Sequence, residues 1–300
     1  MAVPGGPGQN RLRPRGQLRR RAAGRCREGK GHSRIRRGTR SRSRRTASGA
    51  GQSGMNGPNF RTVLWDLDGT LIGLRRRTFR MLMPAVAAWW FRDLVAPHRF
   101  LLAFGGALKP VRANDSTESN TDLMVRLLAE RLRIDRAVAG MRFHDLAVHG
   151  FSLLRWCFPP VPAAVHTVGL LRAARIGQVI ATNPLWPRET VETRLRWGGY
   201  DPAAFELITS GDTMRRSKPS IEFYRELLDR LGARPRDCVM IGNDAANDAP
   251  AAELGIPVFL VNVPESDVPQ QYSSTGLVTT GDWSRLHGWL GIEEKSCSSS

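Results

Sequence analysis

The sequence predicts an α/β protein: a parallel sheet covered by helices on both faces, interrupted by an all-helical insert. Three observations carry this. Short β-rich runs recur after residue 60 and alternate with helix-like segments. The runs are apolar throughout, as strands buried on both faces are. Residues 75–160 hold helical patterns with no strand-like run.

The elements follow in order. Thr62–Leu67 is the first apolar run. Within the insert, Phe79–Leu94, Phe100–Leu108 and Thr121–Leu132 show helical spacing, and Ala137–Cys157 shows it more weakly, while Asn114–Asn120 is a polar loop. Thr167–Arg175 places Val168, Leu171 and Ala174 at helical spacing before a second strand, Gln178–Thr182. Pro187 opens a helix that ends at Trp197, ahead of Gly198-Gly199. A third strand, Phe205–Thr209, precedes a helix over Ser220–Leu231 that follows Pro219 and stops at Gly232. Cys238–Gly242 is the fourth strand, Ala245–Leu254 a helix closed by Gly255, and Pro257–Asn262 the fifth strand. The expected organisation is a basic tail over residues 1–54, a core from 60–74 and 161–291, the helical insert over 75–160, and a short tail over 292–300.

Charge is distributed unevenly. The chain carries +18, but residues 1–54 hold sixteen Lys and Arg against one acid, Glu28, so the rest carries only +3. The basic character belongs to the tail. Rich in Arg, Gly and Ser and nearly free of large apolar side chains, that tail cannot offset its ordering entropy by burial, so it is expected to be disordered. It lacks the apolar run of a secretory signal. Three readings stay open: an upstream extension of an enzyme starting at Met55, a polyanion-binding arm, or a targeting segment. Cys26, Cys157, Cys238 and Cys297 are far apart without a CxxC pair, which suggests neither a zinc site nor a disulfide framework, so a cytoplasmic setting is the default. The apolar stretch Met81–Leu108 is broken by Arg92, Asp93, His98 and Arg99. No run reaches the ~20 residues of a membrane span, and no membrane partner is expected.

Parallel α/β sheets bind ligands beyond their C-terminal strand ends, and each of those ends carries polar chemistry here. The first strand runs into Asp66-Leu67-Asp68-Gly69-Thr70. Aspartates at i and i+2 of a strand face the same way, and such an anionic mouth is costly without a cation or a proton. The second strand ends in Thr182-Asn183. Ser217-Lys218-Pro219 sets a cation just before a helix. The fourth strand leads into Gly242-Asn243-Asp244 and on to Asp248, two carboxylates at i, i+4 on one helical face.

Asp66-x-Asp68, Thr182, Lys218 and Asp244-x-x-x-Asp248, in this order, resemble the four motifs of the haloacid dehalogenase (HAD) superfamily, over roughly residues 60–290. The resemblance implies a Rossmann-like, HAD-like core, with the insert as an α-helical cap of the first type. It implies a Mg²⁺-dependent phosphatase acting on a small phosphorylated metabolite. Asp66 would be the nucleophile, forming an aspartyl-phosphate, and Asp68 the general acid and then base. Lys218, Thr182, Asn183 and Thr70 would bind the phosphate. Mg²⁺ would be held by the Asp66 carboxylate, the Asp68 carbonyl and Asp244, with Asp248 orienting these ligands. A halide leaves without a proton, and dehalogenase members lack the second aspartate, so Asp68 argues for phosphoryl transfer. A phosphomutase or phosphotransferase shares the first motif and stays open. So does a nucleic-acid-binding protein acting through the basic tail. Asn243 lengthens the fourth motif beyond its shortest form. Trp89, Trp90 and Phe91 are expected in the core of the insert or at its interface with the sheet, Trp186 in packing, and His144, His149 and His166 in structural or surface positions.

Overall fold

The computed structural model describes residues 60–292; the expectations for residues 1–54 and for the C-terminal end lie outside them. Six parallel strands form one sheet: β1 (Thr62–Trp65), β2 (Gly177–Ile180), β3 (Leu207–Ile208), β4 (Cys238–Gly242), β5 (Val258–Val261) and β6 (Val278–Gly281), in the spatial order β3-β2-β1-β4-β5-β6. The α/β class is as the sequence predicts. β1 pairs with β2 and β4 on its two sides, with Trp65 level with Ile180 and Ile241. The chain builds outward from β1 through β2 to β3, then returns to lay β4 on the other side. The reversal at β1 opens a crevice beyond the strand ends, where ligands bind in such sheets. Asp66 directly follows β1, and Thr182 and Asn243 lie one residue further along beyond β2 and β4.

Several boundaries differ from expectation. β1 stops at Trp65, because Leu67 already accepts the amides of Thr70, Leu71 and Ile72 in a tight turn. β3 is two residues long. β6, with two threonines and a glycine, carries no apolar run to signal it. Ala245–Leu254 is one α-helical turn, α8 (Ala245–Asp248), followed by 3₁₀ turns over Ala249–Leu254; Pro250 has no N–H to continue the α ladder.

Between β1 and β2 the chain forms only helices of any length: α1 (Arg76–Trp90), α2 (Pro97–Arg112), α3 (Asn120–Leu132), α4 (Arg136–Asp145) and α5 (Pro162–Ala173). The weak pattern over Ala137–Cys157 resolves into α4, a π-helical turn at Leu146–Gly150 and a 3₁₀ turn at Arg155–Cys157. One apolar cluster runs from the sheet (Val63, Trp65, Ile180) into the insert (Phe91, Phe100, Met124, Phe143), so the two halves share a core. Phe91 is buried and Trp90 packs on that cluster, as expected, but Trp89 is exposed on the outside of α1. Trp186 is buried and stacks on Phe143 at 5.6 Å. Polar ties also bind the insert to the strand ends. Buried Asn120, opening α3, donates to the Pro184 carbonyl and to Ser217 Oγ, each at 3.1 Å. It thereby grips the loop after β2 and the loop that carries Lys218. Later helices α6 (Arg188–Trp197), α7 (Ile221–Leu231), α9 (Gln270–Ser273) and α10 (Trp283–Leu290) complete the layers. Among the described residues, no helix is long and apolar enough to cross a membrane.

Candidate active site

A cavity of about 120 Å³ opens beyond the C-terminal ends of β1, β2 and β4. Asp66, Asp68, Thr182, Asn183, Lys218 and Asp244 line it, joined by Asn247 and by Leu74 and Arg76 from the start of the insert. Residues up to 181 positions apart in the chain therefore meet, because three adjacent strands end side by side.

Asp66 directly follows β1 and its amide donates to the Ile241 carbonyl at 2.9 Å, which fixes it against β4. Its Oδ1 accepts from Lys218 Nζ at 3.0 Å. Lys218 is 1% exposed, and its Nζ also donates to Asp248 Oδ1 at 2.6 Å. Burial works against the charge on Lys218, but the carboxylates of Asp248 and Asp66 outweigh it and raise its pKa above the ordinary lysine value. Lys218 stays a cation. For Asp66 the balance goes the other way. Burial, with Asp248 and Asp68 adding repulsion, outweighs Lys218 and pushes its carboxyl up to about 7.

Asp248 is fully buried and does not line the cavity. Oδ1 holds Lys218, and Oδ2 accepts the amides of Asn243 and Asp244, each at 3.1 Å. With both oxygens engaged, it shapes the loop after β4 and positions Lys218. Gly242 makes this possible: a Cβ there would lie 2.0 Å from Asp248 Oδ2. Asp244 caps α8 through the amides of Ala246 and Asn247, while Asn247 Nδ2 donates to its Oδ2 at 2.9 Å. It faces the cavity while it caps.

Thr70 is fully buried and does not line the cavity. Its hydroxyl donates to Asn243 Oδ1 at 3.2 Å, so it braces the extra residue of the lengthened motif. Asn243 lies against Gly69 (φ +102°), where a Cβ would sit 2.2 Å from its amide nitrogen. That backbone conformation and that contact both require glycine. Thr182 is buried, and its carbonyl accepts from Thr209 Oγ1 at 2.8 Å.

Arg194 is a site residue that sequence reasoning missed. It sits on α6, is 2% exposed, and its Nη1 donates to Asp68 Oδ2 at 2.6 Å. The guanidinium also lies over the Phe151 ring, 5.4 Å from its centroid. The available signal was positional. In Thr190-Val191…Arg194-Leu195 the arginine falls on the inward stripe of the helix, and an arginine there requires an acid. Asp68 Oδ1 is buried with no hydrogen-bond partner.

Among the described residues, no three His, Cys, Asp or Glu side chains converge as a metal cage. The donors facing the cavity do fit a hard cation. The carboxylates of Asp66 and Asp244 and the backbone of Asp68 offer oxygen alone, and Asp66 stands short of compensating positive charge. Mg²⁺ takes few protein oxygens and keeps several waters, so it needs no full cage.

Residues 60–255 match the family model of haloacid dehalogenase-like hydrolases. Among curated proteins, the chain is 25% identical over 194 residues to Protein CbbY of Cereibacter sphaeroides, across 64% of this chain and 79% of that one. It is 29% identical over 133 residues to a phosphoglycolate phosphatase of Rhodospirillum rubrum, across 44% of this chain and 54% of that one. Among solved structures, a 2-haloacid dehalogenase from Pseudomonas syringae pv. Tomato DC3000 superposes with a TM-score of 0.53 at 18% identity, over 77% of this chain and 98% of that one. That last likeness is one of fold.

Proposed function

The chain belongs to the haloacid dehalogenase-like hydrolase family, and on that premise we propose that it is a phosphatase hydrolysing a small phosphate monoester through an aspartyl-phosphate on Asp66. The observation that carries this reading is the pairing of two aspartates at one cavity: Asp66 against Lys218, and Asp68 against Arg194. A dehalogenase has no use for the second, because halide departs unprotonated. The relative named as a phosphoglycolate phosphatase supports the same class.

Asp66 attacks phosphorus with one carboxylate oxygen, and the bond from phosphorus to the leaving oxygen breaks. Asp68 gives that oxygen its proton. Arg194 holds Oδ2 while Oδ1 is buried without a hydrogen-bond partner, so the carboxyl has to turn an oxygen toward the leaving group to pass on its proton. Lys218, fixed by Asp248, compensates charge on Asp66 and on a phosphoryl oxygen, while Thr182 and Asn183 donate hydrogen bonds to the same group. In the second half Asp68 takes a proton from water. The water oxygen bonds to phosphorus, the acyl-phosphate bond breaks, and inorganic phosphate and Asp66 are restored. Mg²⁺ held by Asp66, Asp244 and the Asp68 carbonyl would screen the approach of carboxylate to phosphate and draw the Asp66 pKa down. Leu74 and Arg76 line the same cavity, so the start of the insert is placed to meet the part of the substrate beyond its phosphoryl group.

The test is a phosphate-release screen over sugar phosphates, nucleotides, phosphoglycolate and flavin mononucleotide, with and without Mg²⁺, alongside halide release from 2-haloacids. Mg²⁺-dependent phosphate release that Asp66→Asn abolishes is the expected result. Halide release without phosphate release would overturn the proposal.

A further inference from the structure

The surface of the helical insert differs from the rest of the described chain in two independent ways. Seven of the eight large apolar side chains exposed among the described residues lie on it, with Met81 73%, Trp89 59% and Leu102 75% exposed. It is also basic. Residues 75–160 carry fourteen Lys and Arg against seven Asp and Glu, while the remaining described residues carry fourteen against seventeen. Exposed apolar bulk and positive charge on the same element mark an interaction surface.

The two properties meet at the corner between α1 and α2. Phe91 and Phe100 stack beneath it with ring centroids 4.5 Å apart, so the segment that carries Trp89 and Arg92 meets there the segment that carries Arg99, Leu101 and Leu102. The Arg92 guanidinium lies 3.7 Å from the Trp89 ring centroid and donates to the Trp89 carbonyl, so it is held against the tryptophan. Arg99 and Leu102 line a shallow cavity of about 340 Å³ with Arg131 from α3. Neither Arg99 nor Arg131 has an acidic partner among the described residues. Two guanidinium groups without an acidic partner thus flank an exposed leucine, and the adjoining segment carries a tryptophan and a third arginine.

We propose that this corner docks on an anionic phospholipid surface, with Trp89, Leu101 and Leu102 entering the boundary between headgroups and acyl chains and Arg92, Arg99 and Arg131 meeting lipid phosphates. Tryptophan prefers that boundary, and apolar side chains ringed by basic ones bind there with affinity from both terms. No helix needs to span the bilayer. The sequence criterion that led to no membrane partner being expected addresses spanning only, and a surface contact escapes it. A second copy of the chain fits the corner poorly, because a two-fold contact would set the three arginines against their own counterparts. The proposal does not depend on the phosphatase reading, and its test does not use activity.

The full chain is sedimented with vesicles of phosphatidylcholine alone and of phosphatidylcholine mixed with phosphatidylserine. Residues 1–54 are strongly basic and are themselves attracted to the mixed vesicles, so every comparison is between full chains sharing that segment, repeated at raised salt where its attraction is screened. Trp89→Ser combined with Leu102→Ser, both at exposed positions, should leave the melting temperature unchanged and weaken partitioning onto mixed vesicles at raised salt by roughly tenfold or more. Arg99→Gln combined with Arg131→Gln should weaken it at low salt and narrow the preference for mixed over neutral vesicles. Equal partitioning of wild type and both variants would overturn the proposal. So would a dimer in sedimentation velocity that Trp89→Ser/Leu102→Ser dissolves, since a second copy would then be the occupant.

Discussion

Arg194 holds Asp68 at 2.6 Å from a helix that lies 126 residues further along the chain. The pair is asymmetric: the arginine is buried, while the aspartate side chain is 30% exposed toward the cavity. A buried guanidinium is costly unless paired, so the fold commits Arg194 to Asp68 and Asp68 to one orientation. Oδ2 is thereby held and Oδ1 is left without a hydrogen-bond partner, and in the proposed mechanism that orientation governs proton transfer, which general acid–base chemistry ties to geometry before pKa.

Replacing Arg194 therefore has two consequences. Arg194→Gln should lower kcat by about 10- to 1000-fold with a smaller effect on KM, since it disturbs the proton carrier and leaves the phosphate ligands in place. It should also destabilise the fold by on the order of 3 kcal/mol, the cost of a broken buried pair. Arg194→Lys should recover part of kcat. Steady-state kinetics with a urea melt on each variant checks this; unchanged kcat in a folded Arg194→Gln would remove Arg194 from the site.

Asp66 links activity to stability with opposite signs. Its carboxyl lies at about 7 in the fold against 3.8 ordinarily. Between those values the folded state binds more protons than the unfolded state, so this group's contribution to stability falls as pH rises from about 4 to about 7 and is fully lost above that. Asp66→Asn removes a carboxylate that burial disfavours. The variant should lose turnover by several powers of ten, yet melt higher than wild type above pH 7, by on the order of 1–3 kcal/mol without divalent metal. The advantage should vanish near pH 4. A variant that melts lower than wild type at pH 8 would contradict this account of the site.

The same cluster predicts a metal response. Mg²⁺ should raise the melting temperature of the wild type above pH 7 and leave that of Asp66→Asn nearly unchanged. Asp244→Ala should need roughly tenfold or more Mg²⁺ for the same activity. Ca²⁺ should inhibit, because it accepts longer bonds and more ligands and so allows both Asp66 oxygens to coordinate. Differential scanning fluorimetry across a metal titration reads the first effect and phosphate release the other two. Full activity in excess chelator would exclude the arrangement.

What the sequence reveals divides by range. β1, β2, β4 and β5 are legible because strands buried on both faces need unbroken apolar runs. β6 is not, since Val-Thr-Thr-Gly at a half-exposed sheet edge needs no such run. Asp66, Asp68, Lys218 and Asp244 are legible because each sits where a strand ends or a helix begins. Thr70 and Asp248 are legible as positions but not as contacts. Whether a hydroxyl or a carboxylate faces a cavity or braces a loop depends on partners such as Asn243 and Lys218, which only the fold supplies. Arg194 belongs to neither a strand end nor a motif, and its partner lies 126 residues earlier in the chain.

Gly242 tests the bracing role of Asp248 without touching a charge. It is the last residue of β4, and a Cβ there would lie 2.0 Å from Asp248 Oδ2 and 2.4 Å from its carboxyl carbon. Asp248 is fully buried and its Oδ2 is the shared acceptor for two backbone amides, so it cannot swing aside without abandoning them. Gly242→Ala should therefore displace the carboxylate, loosen the loop that carries Asp244 and release Lys218 from one of its two partners. The expected cost is about 2–4 kcal/mol of stability, as for overpacking joined to loss of a buried polar network, and at least a hundredfold loss of kcat/KM. Asp248→Asn, which keeps the shape and removes the charge, should cost less stability while still weakening the hold on Lys218. If Gly242→Ala melted and turned over like wild type, the loop after β4 would have to be far more yielding than this packing allows.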